Sequence, residues 1–240
     1  MRIRWSIVIA VFVTNFVFGY SVDAEEAEKS ALAAVEEKVK ETVPAVLDIL
    51  RKEEMASEEK GDKILDILSP VFRFELMAKL TLGRQYWGQL TEEQQEEFVD
   101  LFVKHLQMSY IGKAEHFADK EIHYGDAEWL GSGRRKILMN TYVFINDSKN
   151  VIKYKFYKQR DGWKVYDIEI EGVSIIRSYK SQYVDVLEEE DVETLFEKIR
   201  SKVDKKKCQL EEDVDAGEVE EEEEEEEDED EDEDEDDKNE

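Results

Sequence analysis

The clearest hydrophobic pattern in the chain lies between Gly162 and Tyr183, where two spacings of apolar residues meet. Tyr166, Ile168 and Ile170 alternate with polar or charged residues, which predicts a strand with one apolar face. After Gly172 the apolar residues recur at helical spacing, so the stretch is predicted to continue as a helix. A strand and a helix that present apolar groups on either side of a glycine form part of a core or of a pocket.

Alternating apolar residues also predict three strands upstream, over residues 121–129, 135–145 and 151–158. Short turn sequences separate them, and Asp161-Gly162 is a dipeptide typical of tight hairpins. Connections this short predict a four-stranded antiparallel meander. Its predicted apolar face carries Ile152, Tyr154, Phe156, Tyr166, Ile168 and Ile170.

Helical spacing dominates the rest of the chain. The predicted helices cover residues 25–55, 57–68, 70–83, a long stretch after the capping box at Thr91, and 190–203. Pro44 is expected to kink or split the first of them, Ser69-Pro70 to start the third and Gly83 to end it. The helices before and after the sheet are the elements that can bury its apolar face. The predicted fold is therefore α+β: N-terminal helices, a four-stranded antiparallel sheet and C-terminal helices.

The N-terminal residues have the composition of an export signal. Arg2 and Arg4 precede an apolar run from Trp5 to Phe18, and Ala24 ends a motif of small residues. The apolar run is shorter than the ~20 residues that span a bilayer comfortably. We therefore predict a secretory signal peptide over residues 1–24, cleaved near Ala24.

The C-terminal residues are strongly acidic. Glu211–Glu240 contains 24 acidic residues and one lysine, in a chain whose net charge is −29. Like charges in one block repel each other and bury no core, so residues 210–240 are predicted to be a disordered tail. Residues 25–209 are enough for one domain. Their single cysteine, Cys208, excludes an internal disulfide, and the acidic balance argues against nucleic acid as a partner.

Motifs for catalysis or metal binding are absent from the sequence. His105, His116 and His123 lack the spacing of metal ligands, and no cofactor is expected. His105 lies on the apolar face of a long predicted helix, where a satisfied core histidine is expected. Asp167 and Glu169 are predicted to form a solvated or salt-bridged strand face. The many large apolar side chains favour binding an apolar molecule over transforming one, so the protein is not expected to be an enzyme.

Several motifs carry a family resemblance, in one order and spacing along residues 30–203. They are the segment from Phe72-Arg73-Phe74 to Trp87, Tyr110-Ile111-Gly112, Asp161 to Asp167, Glu171 to Ser174, and Ser181-Gln182-Tyr183. They resemble the signatures of the MlaC, or toluene-tolerance, family of periplasmic phospholipid carriers. Arg73 stands where the family usually has an acid and Ser178 where it usually has Asn. The acidic tail is outside the family pattern.

The resemblance implies an apolar cavity between sheet and helices that holds the acyl chains of a phospholipid. It implies a soluble periplasmic carrier that moves phospholipid between the inner and outer membranes and maintains outer-membrane lipid asymmetry. The implied partners are an inner-membrane ABC lipid transporter complex and an outer-membrane lipoprotein complex. The candidate lipid-binding residues are Phe74, Met77, Leu82, Phe102, Leu106, Tyr110, Tyr154, Phe156, Tyr166, Ile168, Ile170 and Val173.

Three other functions stay open from the residues alone. A carrier of another lipid, such as a hopanoid, would use the same kind of pocket. A small enzyme with a cone-shaped pocket would need His105 or Asp167 as a base with a perturbed pKa deep in the pocket. An interaction module would need an exposed apolar patch on its surface.

Overall fold

A computed structural model describes the backbone of residues 8–145 and 148–210, and the side chains from residue 25 onward except that of Ile145. Residues 1–7 and the acidic tail from Glu211 lie outside the described residues, so the signal peptide and the disordered tail stay predictions. The chain divides into two units. The first comprises Met1–Pro44, Val71–Arg73 and Lys120–Ile175, and the second comprises Ala45–Pro70, Phe74–Asp119 and Ile176–Glu240.

The first unit contains an antiparallel sheet of six strands. They are β1 Ile122–Tyr124, β2 Glu128–Trp129, β3 Lys136–Ile145, β4 Ser148–Gln159, β5 Gly162–Ile170 and β6 Val173–Ser174. The central meander of β3, β4 and β5 is confirmed, with β1 and β2 both paired to β3 and β6 paired to β5. The predicted number of four strands is wrong, because the first predicted strand is divided into β1 and β2 and because β6 was not foreseen.

A β-bulge in β5 changes which residues share a face. Phe156 of β4 pairs with Val165, whereas the preceding Lys155 pairs with Asp167, so Tyr166 is an extra residue on β5. An extra residue of this kind locally breaks the alternation of side chains. Val165 therefore lies on the face of Phe156, and Asp167 lies on the face of Lys155.

The Tyr166 ring lies on the polar face of the sheet. Its centroid is 6.5 Å from that of Tyr157, and the Lys136 ammonium lies 5.3 Å from it. Both neighbours lie on the face opposite Phe156, because Tyr157 follows Phe156 in β4 and pairs with Lys136. The prediction that Tyr166 shares a face with Ile168 and Ile170 is therefore wrong. An alternating sequence pattern does not reveal an inserted residue.

A short extended segment, Val71–Arg73, runs beside β5 at the bulge. The Val165 amide donates to the Val71 carbonyl and the Arg73 amide donates to the Val165 carbonyl, both at 2.9 Å. The segment satisfies backbone groups at an edge of β5 that would otherwise lack partners. The predicted helix start at Ser69-Pro70 is wrong, because Ser69 ends the preceding helix with its amide bonded to the Leu65 carbonyl.

The described residues contain six helices. They are α1 Val8–Leu50, α2 Ser57–Leu68, α3 Phe74–Trp87, α4 Glu92–Glu115, α5 Ile175–Glu189 and α6 over residues 192–210. The predicted split at Pro44 does not occur, because α1 continues through it. Gly83 interrupts α3 with φ of 72°, a left-handed conformation that favours glycine. No helix in the described part of the chain is both long and apolar enough to cross a bilayer.

The capping box that begins α4 is confirmed. The Thr91 hydroxyl accepts a hydrogen bond from the Gln94 amide at 3.2 Å, and the Gln94 side-chain oxygen accepts one from the Thr91 amide at 3.1 Å. The two bonds satisfy amides that a helix start leaves without partners. The α+β fold class predicted from the sequence is thereby confirmed in its helices as well as in its sheet.

Candidate functional site

One face of the sheet is apolar across its three central strands. Its rows follow the strand register: Ile137 with Phe156 and Val165, Met139 with Tyr154 and Ile168, and Thr141 with Ile152 and Ile170. Directly paired residues of antiparallel strands share a face. The β3 members of this face were missed from the sequence, although their alternation from Ile137 to Val143 could have revealed them. We call this surface the apolar sheet face.

Burial of the apolar sheet face decreases on β4 and β5, whereas Met139 and Thr141 of β3 stay at most 1% exposed. Ile137 and Phe156 are 0% exposed and Val165 is 1% exposed, so this end is packed protein interior. Ile168 and Ile170 are only half-buried, and Val173 of β6, which pairs with Ile170, is 61% exposed. Since apolar groups in the half-buried region retain solvent contact, this part of the face can still gain free energy by contacting an apolar ligand.

Tyr154 and Thr141 place two hydroxyl groups in this apolar face. The Tyr154 hydroxyl lies 3.3 Å from that of Thr141. Burial raises the pKa of Tyr154 to about 12, although the hydrogen bond to Thr141 opposes the shift. The side chain is therefore neutral at physiological pH. It can serve as a hydrogen-bonding group but not as a general base.

The six helical candidate residues divide by burial. Phe102 is 0% exposed, Met77 is 1% exposed and Leu82 is 2% exposed, so these three are core residues surrounded by protein. Phe102 stacks against Phe98 at 6.4 Å and meets the Tyr179 ring edge-on at 5.7 Å. The three half-buried candidates are Phe74, Leu106 and Tyr110.

Two of those half-buried candidates belong to one stripe of α4. Phe102, Leu106 and Tyr110 are spaced four residues apart, so they follow one face of the helix. The stripe changes from fully buried at Phe102 to half-buried at Leu106 and Tyr110. Burial raises the pKa of Tyr110, and its ring is covered by the Lys113 ammonium at 5.6 Å. The C-terminal half of the stripe is the part available to a ligand.

The polar face of the sheet carries a network of ion pairs. The Lys155 ammonium lies 2.9 Å from the Asp167 carboxylate and 3.0 Å from that of Glu169, which also pairs with Lys153 at 2.7 Å. Ser174 donates to Asp167, at 2.8 Å to the nearer oxygen. The predicted salt-bridged strand face is confirmed. With these bonds the buried Asp167 carboxylate has the geometry of a structural ion pair.

His105 is a satisfied core histidine, as predicted. It is 5% exposed, its Nδ1 lies 3.0 Å from the Tyr183 hydroxyl, and its ring centroid is 4.9 Å from that of Tyr179. Burial and, to a smaller extent, repulsion from Lys202 together lower the pKa of His105 to about 4. The ring is therefore neutral at physiological pH.

The buried His105 predicts a loss of stability in acid. Its pKa is near 6.5 in an unfolded chain and about 4 in the fold, so between these values the unfolded state binds a proton that the native state does not. Its contribution is fully present above about pH 6.5 and is lost as the pH falls towards 4, by about 3 kcal/mol. Urea unfolding at pH 7 and 4 will measure this loss.

The variant His105→Phe isolates that contribution from the carboxylates, which both proteins share. It lacks the hydrogen bond to Tyr183 and is expected to be less stable than the wild type at pH 7. Between pH 7 and pH 4 it should lose about 3 kcal/mol less than the wild type does. Parallel stability curves for the two proteins would contradict a buried, neutral histidine.

A separate cleft of about 760 Å³ lies within the second unit, near the start of α2 and the ends of α4 and α6. Its lining residues include Lys113, Glu115 and His116 as well as Met108 and Leu210, so its surface is mixed polar and apolar. None of the candidate lipid-binding residues lines it. In the described part of the chain, no group of three or more histidine, cysteine or acidic side chains has the arrangement of a metal site.

Comparisons with known proteins find a matching family and a similar sequence. A family model described as MlaC protein matches residues 40–201. The chain is 25% identical over 145 residues to the intermembrane phospholipid transport system binding protein MlaC of Haemophilus influenzae. That alignment covers 55% of this chain and 63% of the relative, less than two thirds of its length.

A solved structure has a similar fold. It is a phospholipid-binding protein from Ralstonia solanacearum, in complex with a phospholipid. The two structures superpose with a TM-score of 0.64 at 24% sequence identity, over 73% of this chain and 98% of the other. The likeness supports the α+β assignment over nearly the whole length of that neighbour.

Proposed function

This chain belongs to the MlaC family, and from that premise we propose that it is a periplasmic carrier that binds a phospholipid by its acyl chains. The half-buried end of the apolar sheet face, around Ile168 and Ile170, is the observation that supports the proposal most directly. The Haemophilus influenzae relative is named for phospholipid transport, and the Ralstonia solanacearum neighbour was solved with a phospholipid. The proposed lipid contacts in the first unit are Tyr154, Ile168 and Ile170. In the second unit the half-buried candidates are Phe74, Leu106 and Tyr110.

The energetics of the cargo favour a pocket with this lining. A phospholipid with two chains carries on the order of 30 methylenes, each worth ~0.8 kcal/mol when buried. A carrier in water must therefore shield acyl chains whose exposure would cost more than ~20 kcal/mol. Half-buried isoleucines offer the acyl chains an apolar protein surface to pack against, and the neutral Tyr154 adds no charge to that surface.

The carrier would move phospholipid between the inner and outer membranes and so maintain lipid asymmetry. It would receive or deliver lipid at an inner-membrane ABC transporter complex and at an outer-membrane lipoprotein complex. It would reach the periplasm after cleavage near Ala24, and it would carry lipid as cargo without a cofactor and without catalysing a reaction.

The lipid content of the exported protein tests the proposal. Protein purified from the periplasm should carry about one phospholipid per chain, measured by native mass spectrometry and by lipid extraction. After delipidation it should take up labelled phospholipid from vesicles. The intact mass should correspond to a chain that begins near Glu25.

Other results would redirect or reject the proposal. Extraction of a hopanoid in place of phospholipid would keep the carrier function and change its cargo. Protein that is reproducibly free of lipid, and that takes none up from labelled vesicles, would contradict a carrier function altogether.

A further inference from the structure

The polar sheet face ends in a group of basic and aromatic side chains near the β4–β5 turn. Lys136, Tyr157 and Lys164 form one row across β3, β4 and β5, because Tyr157 pairs with both lysines. The Arg135 guanidinium lies 5.2 Å from the centroid of the Tyr157 ring, and the Lys136 ammonium lies 5.3 Å from that of Tyr166. The basic–aromatic patch consists of Arg135, Lys136, Tyr157, Arg160, Lys164 and Tyr166.

The patch has a surplus of positive charge. Lys164 pairs with Asp161 at 3.1 Å. In contrast, no carboxylate among the described residues forms an ion pair with Arg135, Lys136 or Arg160, and all three are exposed. Farther along the same face, Lys153 and Lys155 of β4 are paired with Asp167 and Glu169. Lys149, at the far end of β4, lies over the Tyr142 ring. The surplus is therefore concentrated at the turn end of the face.

We propose that the acidic C-terminal tail, Glu211–Glu240, docks on the basic–aromatic patch of its own chain. With 24 acidic residues and one lysine, the tail carries a negative charge that complements the positive charge of the patch. The rest of the chain is itself net acidic. Its average field therefore repels the tail, and a local positive surplus is where the tail gains most.

The tail is long enough for a distant contact. Thirty extended residues reach up to about 100 Å, more than twice the ~40 Å spanned by β4, the 12-residue strand that ends at the patch. The contact is a set of exposed ion pairs, each weak, so it is strongest at low ionic strength and weakens as salt screens the charges.

A tail docked on the patch would not occupy the apolar sheet face. The patch lies on the polar face, and the half-buried apolar sheet face is on the opposite side of the same strands. The contact is therefore independent of the lipid that the protein carries.

Zero-length cross-linking of the full mature chain tests the proposal. A carbodiimide joins a lysine to a carboxylate that contacts it, and mass spectrometry identifies the linked residues. At about 20 mM salt, Lys136 should be linked to tail residues far more often than the exposed Lys52, which is outside the patch. At about 0.5 M salt the yield at Lys136 should fall to that of Lys52, since screening then acts within a few ångströms.

Two variants with equal charge changes sharpen the test. Arg135→Ser with Arg160→Ser removes charge from the patch but keeps Lys136 as the reporter, and should lower its yield about tenfold. Lys205→Ser with Lys206→Ser removes the same charge beside the start of the tail, and should leave the yield at Lys136 unchanged. Circular dichroism verifies that both variants are folded.

Specific outcomes would overturn the proposal. They are an equal yield at Lys136 and Lys52, a yield unaffected by the patch variant, or a yield lowered by the Lys205 and Lys206 variant alone. A mixture of isotopically light and heavy chains distinguishes the source of the tail. Links found mainly between light and heavy chains would assign the docked tail to a second copy and reject the intramolecular contact.

Discussion

Replacing Ile168 by aspartate is expected to remove bound phospholipid while the fold survives. Ile168 is half-buried in β5 and pairs with Tyr154 in the middle of the apolar sheet face. A carboxylate there would lie against an acyl chain, and an unpaired charge in an apolar contact costs several kcal/mol. At about 1.4 kcal/mol per tenfold, affinity should fall at least about a hundredfold.

The fold should tolerate the charge once the lipid is gone. Because Ile168 retains solvent contact, water can solvate the new carboxylate in the empty protein, unlike at a site such as Phe156, which is 0% exposed. The measurement combines circular dichroism with lipid extraction from the same preparation. A folded protein that still carries lipid would refute the assignment of this face to the ligand, and an unfolded one would identify the face as plain core.

The matched control is Leu138→Asp on the opposite face. Leu138 is a half-buried aliphatic residue of β3 that pairs with Lys155, so it has the size and exposure of Ile168 but faces the ion-pair network. This variant should keep both its fold and its phospholipid. Loss of lipid from both variants would show that the sheet is merely sensitive to added charge.

The sequence determined much of the sheet because its pattern reflects burial. The alternation in β4 identified Tyr154 and Phe156 correctly, and β5 follows its predicted alternation from Ile168 onward. The exception is Tyr166, which shares the polar face. A bulge adds a residue to a strand without requiring a particular residue type. Because Tyr occurs on both the buried and the exposed faces of strands, the sequence contains no local signal for this bulge.

The pairing of Val71–Arg73 with β5 could not be predicted from the neighbouring sequence, for a different reason. Ser69-Pro70 has the composition of a helix start, and propensity alone supports that interpretation. The structure instead pairs the following three residues with Val165, which is more than 90 positions away in sequence. A backbone partner that distant is decided by tertiary structure and not by the residues at the helix start.

Burial is also what separates the candidate lipid contacts from the core. Phe102, Leu106 and Tyr110 lie four residues apart within α4, so they follow one face of the helix. The spacing of residues gives the direction of a side chain but not the depth of packing around it. Phe102 is fully enclosed by protein while Leu106 and Tyr110 are not, and only the three-dimensional structure could show this difference.

Truncating Phe102 should therefore affect stability and not cargo. Its ring is 0% exposed and packs against Phe98 and Tyr179, so Phe102→Ala should cost about 3–5 kcal/mol of unfolding free energy. The measurement is urea unfolding of delipidated protein, because bound lipid would itself stabilise the native state. Phe102→Leu is the matched control, and it should lose clearly less because it leaves a smaller cavity. If Phe102→Ala keeps its stability but loses phospholipid, Phe102 lines the ligand site and the core assignment is wrong.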